Sequence, residues 1–264
     1  RRDAFPNPRS TDSLSFMIDL DHVSFGTHNA LATGKRLRRD YGATAVFGEA
    51  LPEFRYVALY LGSAQDGGFL ELLDPNGPGF MTKFLERLGE APHHLTFTVP
   101  DIEASVQQVK DLGFAVTGEN FTHESWREAF ITPHPATGCV IQLAQTPHSY
   151  PAPSELLATN ERDLDSYPSS QGALDNTWWL PIWDESPGPA IEWDTIITRS
   201  NDVPALLAIY RDVLEATVTT DGDSTVCIWP SGTITINPAS RSGIDGVRYH
   251  RESHESSQVL TVPV

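Results

Sequence analysis

Cations, cysteine and long apolar runs are all scarce in this 264-residue sequence, and each shortage closes off a class of function. Lysine and arginine together number 18 against 35 acidic residues, a formal net charge of −17. A surface of that sign is repelled by phosphate backbones and anionic lipid, so no nucleic acid and no membrane is expected as a partner. The two cysteines, Cys139 and Cys227, lie in strand-like apolar runs and read as buried free thiols rather than a disulfide. No apolar run reaches the roughly 18 residues of a membrane helix. No secretory leader is recognisable, so the expected compartment is the cytoplasm.

What is present is patterned. In Pro92-His93-His94-Leu95-Thr96-Phe97-Thr98-Val99, the residues Leu95, Phe97 and Val99 alternate with His94, Thr96 and Thr98, the period of a half-buried strand. Asp101 then caps a helix whose stripe is Ile102, Val106, Val109 and Leu112, with Gly113 as its stop. An earlier stretch, Phe16 to Phe25, has the same character: Val23 and Phe25 share one face, His22 and Ser24 the other. It leads into an amphipathic segment around Leu31, Leu37 and Tyr41, where Gly34 argues against a regular helix.

Three strands are expected after each helix: 43–47, 56–61 and 68–73 in the first round, 114–116, 126–132 and 139–143 in the second. His22 to Glu71 spans 71 − 22 = 49 residues and His94 to Gln142 spans 142 − 94 = 48. The offsets between rounds are 94 − 22 = 72 and 142 − 71 = 71. The chain is therefore read as α+β, with two tandem βαβββ modules over residues 17–146.

Each module places one imidazole and one side-chain oxygen on the polar side of its strands, because Leu70 and Leu72 flank Glu71 while Ile141 and Leu143 flank Gln142. A strand histidine is more often a hydrogen-bonded structural group, and His93 is read that way. Four groups at repeated positions are different. If the modules pair about a pseudo-two-fold axis, His22, Glu71, His94 and Gln142 converge. Two nitrogens and two oxygens suit one divalent cation, Zn, Co, Ni, Mn or Fe, acting as a Lewis acid.

Residues 147–190 turn to Pro, Ser, Asn and Asp and read as a linker, within which Trp178-Trp179-Leu180-Pro181-Ile182-Trp183 is apolar enough to pack on a domain. Residues 191–264 read as a third βαβββ-like module: a strand at 191–197, a helix capped by Asn201 or Asp202, strands near 225–229 and 233–236, and tail strands at 247–250 and 258–262. Asp194 falls near its histidine position and Ile234 or Thr235 near its carboxylate position, so no metal is expected there. One module leaves a sheet edge unpaired and the tail lacks a helix pattern, so a homodimer through this module is expected.

These motifs resemble the vicinal oxygen chelate superfamily, which includes glyoxalase I, methylmalonyl-CoA epimerase, extradiol dioxygenases and bleomycin-resistance proteins. The resemblance is carried by Asp21-His22-Val23, Phe69-Leu70-Glu71-Leu72-Leu73-Asp74-Pro75, Pro92-His93-His94-Leu95-Thr96-Phe97 and Gly138-Cys139-Val140-Ile141-Gln142-Leu143. It implies a glyoxalase-like cup and a small substrate that chelates the metal through two neighbouring oxygens. Relative to the epimerases, the ligand order of the two halves is exchanged. Gln142 cannot accept a proton and neither can Ala58, at the epimerases' other base position, so Glu71 and Glu128 are left as the catalytic candidates. The implied activity is that of a metal-dependent isomerase, epimerase or lyase. The alternatives are an Fe(II) ring-cleaving dioxygenase and a bleomycin-resistance-type small-molecule binding protein.

Overall fold

A computed structural model describes residues 17–166, 169–170, 172–251 and 256–261. The expected lead-in at 1–15, Phe16 of the first strand and Val262 of the last lie outside the described residues. The first module consists of β1 (Asp19–Gly26), α1 (Ala30–Tyr41), β2 (Thr44–Ala50), β3 (Phe54–Gly62) and β4 (Gly67–Pro75). A helix absent from the sequence reading, α2 (Phe80–Leu88), leads to the second module: β5 (Ala91–Thr98), α3 (Ile102–Asp111), β6 (Val116–Asn120), β7 (Arg127–Ile131) and β8 (Val140–Gln145). The strand expected at 114–116 thus starts later, because Phe114 is a buried residue completing the turn after α3.

The two modules share one eight-stranded sheet, ordered β2-β3-β4-β1-β5-β8-β7-β6. The strands β1 and β4 are parallel, as are β5 and β8, and β1 meets β5 antiparallel at the centre. That arrangement is the pseudo-two-fold axis inferred from the repeat. Asn29 caps α1 through Ala32 N, and Asp101 caps α3 through Ala104 N. Leu37 of α1 and Ile102, Val106 and Val109 of α3 are buried on the side of the sheet that carries Val23, Phe25, Leu95 and Phe97. The opposite side carries the polar residues.

Gly34 does not break α1. A Cβ there would lie 2.6 Å from Cδ1 of Ile182, so glycine is what lets the tryptophan-rich segment seat against the helix. In that segment, a 3-10 turn over Leu180–Asp184, the Trp179 indole is buried and donates to Gly48 O at 3.0 Å, and Trp183 donates to Ala45 O at 3.2 Å. The linker also forms a short α-helix, α4 (Pro153–Ala158), and a 3-10 turn at Leu164–Ser166.

The third module comprises β9 (Glu192–Ser200), α5 (Val203–Tyr210, capped by Asp202), β10 (Thr217–Asp221), β11 (Ser224–Trp229) and β12 (Gly232–Pro238), followed by β13 (Gly243–His250) and β14 (Gln258–Leu260). These strands form a separate six-stranded sheet, ordered β10-β11-β12-β9-β13-β14. The pairing of β12 with β9 is parallel, as for β4 and β1, and β13 runs antiparallel to β9, as β5 does to β1. β14 departs from the pattern, lying antiparallel to β13 where β8 is parallel to β5. The tail therefore pairs the β9 edge within the chain, and β10 and β14 are the outer strands of the sheet.

This module docks on the side of the first sheet away from the polar face. The Phe97 ring lies 4.9 Å from Trp229 and 5.7 Å from Tyr210, and a Cβ on Gly68 would sit 2.5 Å from the Trp193 indole. Its register corrects one sequence assignment. Ile234 faces Ile196 as Leu70 faces Val23, which puts Thr195, not Asp194, at the histidine position and Thr235 at the carboxylate position. The two threonine hydroxyls lie 3.2 Å apart. Asp194 instead pairs with Arg248.

Candidate metal site

On the polar face, at the junction of β1 and β5, four side chains from four central strands meet. β1 supplies His22, β4 Glu71, β5 His94 and β8 Gln142. Cross-strand register explains the convergence: Glu71 sits beside Ser24 on β1, Gln142 beside Thr96 on β5, and His22 and His94 are staggered across the antiparallel pair. His22 Nε2 is 3.5 Å and His94 Nε2 3.8 Å from Glu71 Oε2, and His94 Nε2 is 3.1 Å from Gln142 Oε1. Ligand atoms each about 2.1 Å from one ion lie roughly 3.0–3.5 Å from one another, so these separations are close to those of a coordination shell. His22, Glu71 and His94 form the one such cluster of histidine, cysteine and acidic residues among the described residues. Their side chains are only 7%, 12% and 7% exposed. The donor set, two imidazoles, a carboxylate and a carboxamide oxygen, fits a borderline divalent cation.

Two hydroxyls complete the ring of polar atoms. Ser24 donates to Glu71 Oε2 at 2.6 Å and lies 3.0 Å from His94 Nε2. Thr96 donates to Gln142 Oε1 at 2.8 Å and lies 2.9 Å from His22 Nε2. These two residues obey the same repeat, since 96 − 24 = 72 matches the histidine offset. The repeat therefore marked them, although metal-ligand chemistry alone did not single them out.

Each imidazole is held from behind. His22 Nδ1 lies 2.5 Å from Asp21 Oδ1. A carboxylate there requires a proton on Nδ1 and leaves Nε2 facing the cluster. His94 has no carboxylate. Its Nδ1 lies 2.7 Å from Nδ1 of His93, whose ring is packed edge-on against Phe84 at 4.7 Å. For Nε2 of His94 to offer its lone pair, Nδ1 must donate, and His93 must accept with its own proton on Nε2. Burial holds His93 down to about 4, keeping it neutral and able to accept. Gly26 makes this arrangement possible, because a Cβ there would come within 2.6 Å of the Phe84 ring. His93 thus does more than the structural packing inferred from sequence: it orients the His94 ring. His93→Leu should weaken metal affinity about 10–100-fold, the usual cost of losing such a partner, with little change in melting temperature. Competition with a coloured chelator measures this, and unchanged affinity would remove His93 from the site.

The ionisation states are unequal. Burial works against a charged His22, but Glu71 and Asp21 outweigh it and raise the ring to about 10. Burial likewise opposes ionisation of Glu71, but His22 dominates and holds the carboxyl at about 2. His94 is pushed well below its ordinary value by burial and by His93. A metal ion would therefore compete with a single proton, the one His22 holds. Between pH 7 and 9, binding should release about one proton per ion, and log affinity should rise about one unit per pH unit, flattening near pH 10. Calorimetry in buffers of differing ionisation enthalpy reads that number directly.

Glu128 lies close to, but not at, the place in the second module that matches Ala58. Phe130 faces Gln142 across β7 and β8, as Ala58 faces Glu71 across β3 and β4, so Phe130 takes the place matching Ala58. Glu128 lies one pleat further along, opposite Ala144, where its Oε2 accepts from Gln142 Nε2 at 2.8 Å and from the Trp126 indole at 3.2 Å. This contact turns Gln142 Oε1 toward the histidines. Burial raises the Glu128 carboxyl above its ordinary value, with the hydrogen bonds from Gln142 and Trp126 opposing.

A cup of paired βαβββ modules, with imidazole and oxygen donors gathered at its pseudo-two-fold axis, defines a vicinal oxygen chelate fold. Residues 21–130, most of the paired-module domain, match the model of the Glyoxalase/Bleomycin resistance protein/Dioxygenase superfamily. Among solved structures, a hypothetical protein from Staphylococcus aureus aligns over 91% of this chain and 94% of its own, with 14% identity and a TM-score of 0.55. That likeness concerns the fold, and it extends across the third module. A methylmalonyl-CoA epimerase from Mycobacterium tuberculosis aligns over 48% of this chain and 86% of its own, with 25% identity and a TM-score of 0.42. A hypothetical protein from Bacillus halodurans C-125 aligns over 51% and 98%, with 21% identity and a TM-score of 0.45. No curated protein matches the chain.

Proposed function

We propose that this chain is a metal-dependent enzyme of the isomerase, epimerase or lyase kind, moving a proton next to a carbonyl on a small substrate with two neighbouring oxygens. The observation that carries the reading is the convergence of His22 Nε2, His94 Nε2, Glu71 Oε2 and Gln142 Oε1 in a buried cluster. A divalent ion held by those residues would supply Lewis-acid stabilisation of the negative charge that develops when the neighbouring proton leaves. The protein supplies the rest. Asp21 and His93 aim the two imidazoles, and Ser24 and Thr96 hold the two oxygen ligands. Glu71 and Glu128 are the carboxylates available to take and return the proton. Glu128, raised by burial where Glu71 is held at about 2, is the better matched to giving the proton back.

One observation favours a second reading. Two histidines and one carboxylate are also the ligand set of Fe(II) oxygenases. The two readings separate in one experiment. Metal-reconstituted protein, incubated in D₂O with a panel of small 2-oxo and 2-hydroxy carbonyl compounds, should exchange the proton beside the carbonyl for deuterium, seen by proton NMR. Oxygen uptake with catechols on the Fe(II) form alone, with no exchange, would replace the first reading by the second. Inertness in both assays with ligands still bound would favour a binding protein.

A further inference from the structure

The two halves of the cup match in strand order but not in covering. On the first half, β2 is buried along its whole length, whereas on the second half its counterpart β6 is exposed over Thr117–Glu119. The cover comes from the chain's own linker. Tyr150 stacks on Phe69 at 4.5 Å with the rings 25° apart, and Leu156 of α4, 1% exposed, packs with Val46, Phe47 and Tyr60. Further along, Ser169 Oγ and Ser170 N donate to the buried Glu49 carboxylate at 2.6 and 2.7 Å. Phe69 and Tyr60 lie on the same sheet face as Glu71, because they pair with each other two residues along from the Ala58–Glu71 pair. The linker therefore crosses the cup itself, not the back of the sheet. On the uncovered half, Trp126, Glu128 and Phe130 stay only half-buried beside Gln142.

We propose that Tyr150 and Leu156 are specificity-determining residues: they fill the first module's half of the cup, so that substrate reaches the cluster only over the second module and must be compact. This rests on the metal-site reading and adds to it the size of the ligand and the side from which it enters. It also assigns the proton transfer to the carboxylate on the open side, Glu128, which stands half-buried beside Gln142 where the ligand would enter.

The test uses Co(II)-loaded full-length protein and two probes that chelate through the same pair of oxygens, acetohydroxamate and benzohydroxamate, followed by the cobalt visible spectrum. Wild type should bind the methyl probe about tenfold or more tighter than the phenyl probe, because a closed wall discriminates by bulk. Tyr150→Ala and Leu156→Ala should each cut that preference about tenfold by gaining affinity for the phenyl probe, leaving the methyl probe unchanged. Should Leu156→Ala not fold, Tyr150→Ala, at a half-buried ring, and Glu49→Gln, which loosens the linker's anchor, give the same reading. Equal affinities in wild type, or an unchanged preference in the folded variants, overturns the proposal while leaving the metal site standing. Cobalt that does not bind, or a bound cobalt spectrum that neither probe alters, overturns the metal-site reading and this proposal together.

Discussion

His94→Ala should lose its metal outright: an ion retained by the wild-type protein through gel filtration should be absent from the variant, with the fold kept. Three features of the geometry set the size of the effect. His94 Nε2 touches three of the other polar groups of the cluster, lying 3.0 Å from Ser24, 3.1 Å from Gln142 and 3.8 Å from Glu71. Its removal leaves one imidazole and two oxygens, a weaker set for a borderline cation. The loss should exceed the roughly 10–100-fold that follows from disturbing an outer partner such as His93. The fold should survive because Thr96 still bonds Gln142 and Ser24 still bonds Glu71, so few buried polar atoms are orphaned. A cost of about 1–3 kcal/mol is expected for emptying a buried ring. Elemental analysis with a thermal melt checks both halves of the statement. A variant that holds as much metal as wild type would show that the imidazole is not a ligand.

How far the sequence carried this site is instructive residue by residue. The spacings of 49 and 48 and the two-residue alternation were sufficient to put His22, Glu71, His94 and Gln142 on one face, because strand periodicity fixes side and register links the strands. The same arithmetic held Ser24 and Thr96, whose hydroxyls became informative only once the strands were adjacent. Positions on β7 were harder. The offset of 72 leads from Ala58 to 58 + 72 = 130, so Phe130 is its match and Glu128 lies one pleat away. The helix α2 was missed because its stripe is short, Met81 and Leu85 being its buried residues, yet it carries the Phe84 that packs on His93. The linker's place over the cup had no local signal at all. Tyr150 lies 150 − 69 = 81 residues from Phe69, and Ser169 lies 169 − 49 = 120 from Glu49, and contacts of that kind follow from tertiary packing rather than from periodicity.

Glu71→Gln should separate holding the metal from using it. The substitution keeps an oxygen at the position of Oε1 or Oε2, and the amide can still accept from Ser24, which now donates to Oε2 at 2.6 Å. What disappears is the only negative charge among the four proposed ligands. Two consequences follow. His22, which Glu71 and Asp21 hold at about 10, loses the larger of its two carboxylate supports and drops toward the ordinary imidazole range. A metal ion then competes with a weaker proton but gains a weaker ligand. Affinity should therefore fall less than in His94→Ala, and the proton released per ion near pH 7 should drop below one. Turnover tells the two carboxylates apart. If Glu71 accepts the substrate's proton, deuterium exchange should fall about 10²–10⁴-fold in the metal-loaded variant, the usual worth of a positioned base. Glu128→Gln, whose amide oxygen can still accept from Gln142 Nε2, should produce that fall instead if Glu128 is the base. Entry over the open second-module side favours the second outcome, with Glu71→Gln keeping measurable exchange once saturated with metal. Full exchange in both metal-loaded variants would remove both carboxylates from the chemistry and leave proton transfer to solvent.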